Sequence, residues 1–160
     1  MIRRHHVWLR RLSIVLLLTL AAASLVATVD LVVDLIRGGP TTNSATRLLT
    51  TGALIWIGNN LVFALLYWEF DSGGAYARYK RAHPHPDFAF PQQLDPNIAP
   101  KDWRPKFVDY LYLGLTNGTA FSPTDVMPLA PWAKLTMALQ SVISLVVIGL
   151  VIARAVNILP

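Results

Sequence analysis

Three apolar stretches decide what this chain can fold into. They are Leu12 to Val29, continuing through DLVVDLI to Ile36; Leu48 to Trp68; and Leu135 to Val156. Each supplies the roughly 20 residues a helix needs to cross about 30 Å of hydrocarbon. Inside hydrocarbon a chain must satisfy its own backbone polar groups, which leaves helices and closed barrels. Composition agrees: 54% of residues are apolar and 14% charged, where soluble domains carry about 25% charged residues. The fold class read from this is all-α, a transmembrane helical protein with three spanning helices. Its obligatory partner is the lipid bilayer.

The charges sit at the ends of the apolar runs. The net charge of +5 forms no basic face, so nucleic acid is not an expected partner. There is no cysteine, which excludes disulfides and thiolate metal sites, and no cofactor is expected. Arg3, Arg4, Arg10 and Arg11 precede the first run, Arg78, Lys80 and Arg81 follow the second, and Lys134 precedes the third. The positive-inside rule then places the N-terminus and the long second loop in the cytoplasm of a multi-pass inner (plasma) membrane protein. Trp8, Tyr67, Trp68 and Trp132 suit the membrane interface. Gly38, Gly39 and Pro40 end the first helix. MIRRHHVWLRR with SIVLLLTL also fits a signal peptide, but the apolar stretch runs past the small residues at 21–27, and an uncleaved helix is the simpler account.

The expected organisation is one membrane domain over 1–160. A basic flank covers 1–11, the first span 12–36 and the second 48–68. A polar, Pro-rich loop covers 69–106, a pore-helix-like segment 107–128 and the third span 135–156. The prolines of HPHPDFAFPQQLDPNIAP oppose a regular helix or central strand, so this loop is expected to be ordered only where it packs on helices. Phe107 to about Thr119 reads as helical, followed by a polar, proline-broken turn and then a spanning helix. That is how a re-entrant segment reads, and it needs protein or water over its polar backbone.

FVDYLYLGLTNGTAFSPTDVMP, Phe107 to Pro128, resembles the pore helix and filter of two-transmembrane potassium channels, whose pattern is roughly FFDALYFSLITLTTVGYGDLVP. Phe107, Asp109, Leu111, Tyr112, Leu115, Thr119, Asp125 and Pro128 match, and Leu129 to Val156 looks like the inner helix. The resemblance implies a homo-oligomer, a tetramer if channel-like, with a pathway lined by Thr116, Asn117, Thr119 and Ser122, and makes Asp125 a further pore-loop candidate. The filter glycines, however, fall on Ser122 and Thr124, with Pro123 between them, which opposes a potassium filter. A channel of this family also has its pore loop outside, in conflict with the charge asymmetry. YWEFDSGG (Tyr67 to Gly74) and TNGTAFSPTD (Thr116 to Asp125) are similar to motifs of a group of uncharacterised small bacterial membrane proteins. Such proteins usually carry further N-terminal helices, which implies a short form or a late start, and no activity comes with the likeness.

The remaining polar residues divide between structural and functional readings. Asn59 and Asn60 lie mid-helix and need partners. Gln140, Ser141 and Ser144 on the last span are candidates, and an interhelical bond is favoured over a substrate contact. Asn117 and its polar neighbours are expected to bond to one another, to Asp125, or to Asn59 and Asn60. Asp30 and Asp34 share a face, as interfacial solvation or a cation site. Glu69 and Asp71 either neutralise Arg78 and Arg81 or bind a cation. Asp125 is expected to cap the turn into the last helix. His83, His85 and Asp87 are weak as metal ligands, and Ser122 lacks a nearby base, so catalysis is not expected. The function read from the sequence is a structural or accessory membrane protein on a degenerate pore module, with a non-potassium channel or small transporter as the alternative.

Overall fold

The computed structural model describes residues 2–80, 82, 85–95, 97–120 and 125–158. Helices dominate: α1 (Ile2–Arg37), α2 (Ala45–Phe70), α3 (Ala75–Lys80), α4 (Pro91–Leu94), α5 (Phe107–Ala120) and α6 (Pro131–Ile158). Two-residue strands β1 (Phe88–Ala89) and β2 (Met127–Pro128) pair antiparallel, Phe88 opposite Pro128 and Ala89 opposite Met127. Stretches Trp8–Arg37, Ala45–Gly73 and Pro131–Ile158 are each long and apolar enough to cross a membrane. The chain is therefore a helical protein with three candidate spans. Each long helix overruns its apolar run at both ends, and α1 reaches back through the basic flank to Ile2, because backbone pairing continues into the polar flanks.

The chain divides into two compact units, residues 1–62 with 147–160 and residues 63–146. In the first, α1 stops where expected. Gly38 takes a left-handed conformation (φ 79°), and the Gly38 and Gly39 N–H groups both donate to Asp34 O at 2.9 and 3.0 Å, as at a glycine-capped helix end. Helices α2 and α6 approach closely at Gly52, where an added Cβ would lie 2.8 Å from Val151 Cγ2.

The second unit holds an aromatic core. Tyr67, Phe88 and Tyr110 are fully buried, with Phe63, Phe90, Leu113, Val126, Ala133 and Met137 around them. The Phe88 ring meets Tyr67 at 5.3 Å, Trp132 at 5.6 Å and Tyr110 at 6.4 Å, all edge-on, the geometry the ring quadrupole favours. Phe90 meets Tyr110 at 5.3 Å and Trp103 at 5.9 Å. The Pro-rich loop is thus ordered by two aromatics inserted among helices. The Leu129 N–H donates to Asp87 O at 2.8 Å, tying the loop to the segment that enters α6.

Candidate functional site

Phe63–Val146 holds two buried clusters of polar side chains, around Asp71 and around Asn117 and Gln140. The first is built on the DSGG turn that follows α2. Ser72, Gly73 and Gly74 all have positive φ (51°, 77° and 92°). Glycine adopts such angles freely, and Ser72 only at a cost. That cost is offset by fixed partners, because the Ser72 N–H donates to Asp87 Oδ2 at 2.7 Å and its Oγ donates to Asp71 Oδ1 at 2.8 Å. Asp71, 1% exposed, also accepts from the Asp87 N–H at 3.1 Å and, through Oδ2, from the Tyr110 hydroxyl. The carboxylate is thereby satisfied, as a buried charge must be. Burial, and next the Asp71 charge, raise the Tyr110 phenol above its ordinary value, so it stays a donor.

Arg78 completes this cluster from α3. Its Nη1 donates to Trp68 O at 2.6 Å and Asp71 O at 2.7 Å, closing off the end of α2. The guanidinium lies 5.1 Å from the Tyr110 ring centroid and 6.0 Å from that of Trp68, within cation–π range. Arg78 thus reaches the Asp71 main chain and an aromatic face. Arg81 and His83 lie outside the described residues. Glu69 is half-buried and has a partner of its own.

The second cluster joins α5, α6 and α2. Asn117 Nδ2 donates to Gln140 Oε1 at 2.8 Å and to Met137 O at 2.9 Å. Gln140 Nε2 donates to Gly114 O at 2.8 Å, and the Tyr67 hydroxyl donates to Gln140 Oε1 at 2.7 Å. Ser141 Oγ donates to Asn117 O and Oδ1, both at 3.3 Å. Asn117 and Gln140 are 2% and 1% exposed. Each amide therefore uses both its donor and acceptor sides against protein, the arrangement a low-dielectric site requires.

The remaining expected residues lie elsewhere. Thr116 Oγ1 donates to Tyr112 O at 2.9 Å, and Thr119 Oγ1 donates to Leu115 O at 2.8 Å; both bond back into α5. Asp125 is exposed in the turn before β2 and is not without a partner. Ser122, with Pro123 and Thr124, lies outside the described residues. Asn117 was expected to bond to its polar neighbours or to the asparagines of α2, and it bonds to α6. Asn59 instead accepts from Ser24 Oγ and donates from Nδ2 to Thr28 Oγ1 at 3.0 Å, both on α1. Asn60 Nδ2 donates to Trp56 O at 2.8 Å. The sequence supplies the need for partners but not which helices meet. Tyr67, expected at a membrane interface, is fully buried within protein.

No known protein family, curated protein or solved structure matches this chain significantly.

Proposed function

We propose that the chain is a non-conducting, non-catalytic accessory protein of the inner membrane, in which the pore-helix-like segment has become a packing element. In this reading α5 enters the membrane part-way, as a re-entrant helix before the last span. The N-terminus and the segment 69–106 face the cytoplasm, as the flanking arginines and lysines favour. One observation carries the proposal: the polar side chains of α5 are used within the protein. Asn117 is consumed by Gln140 and Met137 O, while Thr116 and Thr119 bond to their own helix. A conduction path needs such groups turned toward ions.

The test is flux through purified protein in liposomes under an imposed potassium or sodium gradient. No cation flux above that of empty liposomes is expected, in the parent protein or in Asn117→Leu. A flux that Asn117→Leu abolishes would return the segment to a channel role.

A further inference from the structure

A cavity of about 730 Å³ lies within Phe63–Val146, walled by the DSGG turn, α3 and residues 86–105. That is the size of a small-ligand site. Its wall carries Arg78, Lys101 and Arg104, and no carboxylate residue is among its described lining residues. The segment that builds it, residues 69–106, holds five acidic residues and six lysines and arginines. Composition alone would give a mixed wall, so the separation of charge is a property of the fold. Neither arginine forms an ion pair among the described residues. Arg78 is held by the Trp68 and Asp71 carbonyls, and Arg104 donates from Nη1 to Tyr79 O at 2.7 Å. The Asp71 carboxylate, next in sequence to the wall residue Ser72, is engaged by Tyr110, Ser72 and the Asp87 N–H. Both guanidiniums are thus positioned by neutral partners and keep donors for an anion, the fork geometry that suits phosphate.

A second feature narrows the ligand. Gln92 also lines the cavity, and its Oε1 is buried with no hydrogen-bond partner. A buried acceptor left unmatched is costly, and native structures seldom keep one. A simple anion repels this oxygen, whereas a hydroxyl satisfies it. We propose that the cavity binds a phosphate ester of a polyol, with the phosphate on Arg78 and Arg104 and a hydroxyl donating to Gln92 Oε1. Trp103 offers an apolar wall to the carbon skeleton. The same chemistry is found in a free polyol phosphate and in the headgroup of phosphatidylglycerol. The wall residue Ser72 lies in the last turn of the candidate spanning stretch Ala45–Gly73, the end of a span being where a lipid headgroup would lie.

The experiment titrates the full-length protein in neutral detergent with glycerol 3-phosphate and, separately, with sulfate, a dianion that has no proton to donate. A parallel arm compares nanodiscs of phosphatidylglycerol with nanodiscs of phosphatidylcholine by thermal midpoint. Glycerol 3-phosphate is expected to bind about tenfold or more tightly than sulfate, one matched buried hydrogen bond being worth about that factor. Arg104→Gln weakens both anions. Gln92→Leu weakens glycerol 3-phosphate and leaves sulfate unchanged, which a merely unfolded variant does not do. Response to the free ester identifies a soluble ligand. A higher midpoint in phosphatidylglycerol that Gln92→Leu abolishes, without binding of the free ester, identifies the lipid. Response to neither overturns the proposal, and so does equal binding of sulfate and glycerol 3-phosphate.

Discussion

Helix α1 and the unit Phe63–Val146 use apolar residues in opposite ways. In α1, Val15, Leu16, Leu18, Leu25, Val26 and Val29 are each more than half exposed, and only 6% of its most apolar stretch is buried. In Phe63–Val146, Phe88, Tyr67 and Tyr110 are completely enclosed. The first pattern suits a solvent of lipid tails, which rewards apolar surface without requiring protein around it. The second is a core as water-soluble proteins build it, closed by aromatic edges and by paired polar groups. Polar residues follow the same division. α1 is joined to Asn59 through Ser24 and Thr28, whereas the core unit carries whole networks around Asp71 and Gln140.

Substitutions separate the two regimes. Phe88→Ala should have the largest effect, lowering stability in detergent by about 4 kcal/mol, because the cavity it leaves is rimmed by rings that cannot collapse inward. A loss under about 1 kcal/mol would mean that the Pro-rich loop is not part of the core.

Tyr110→Phe should cost about 1.5 kcal/mol, as the loss of one hydrogen bond to a charged acceptor. It also carries a pH signature. The folded phenol titrates above its unfolded value near 10, so its contribution is complete below about pH 10 and is lost as pH rises beyond it. Thermal midpoints measured across the alkaline range should fall in the parent protein, and less steeply in Tyr110→Phe. Parallel slopes would remove the Asp71–Tyr110 bond from the account. At the bottom of the range, Leu16→Ala in α1 should change the midpoint by less than about 0.5 kcal/mol equivalent, as substitutions at exposed positions do. A core-sized loss there would reveal a protein partner on that face.

The same comparison explains what could be read in advance. The three candidate spans were legible because lipid imposes a length, and length survives in sequence whatever the packing. The end of α1 was legible because Gly38 supplies the left-handed residue and Pro40 the stop. α5 was legible from Phe107 onward by its helical pattern. The core around Phe88 and Phe90 was not, since two aromatics among prolines carry no period, and only tertiary contact decides whether they are enclosed. Asn117 was marked as needing a partner, yet its pairing with Gln140 depends on how α5 lies on α6, and no local pattern encodes that. Asp71 was weighed against Arg78 as an ion pair; its actual donors are a tyrosine and a serine hydroxyl and a backbone N–H, reached through the positive-φ turn.

The central claim is that Asn117 and Gln140 bond to each other to fix α5 as a packing element. A double-mutant cycle tests it most directly, using Asn117→Leu, Gln140→Leu and the double variant, each measured by reversible unfolding in detergent. The account predicts that each single change destabilises and that the double variant loses less than the sum, with a coupling of about 1 kcal/mol. Additivity within about 0.3 kcal/mol would contradict it, and would leave Asn117 available to face an open path.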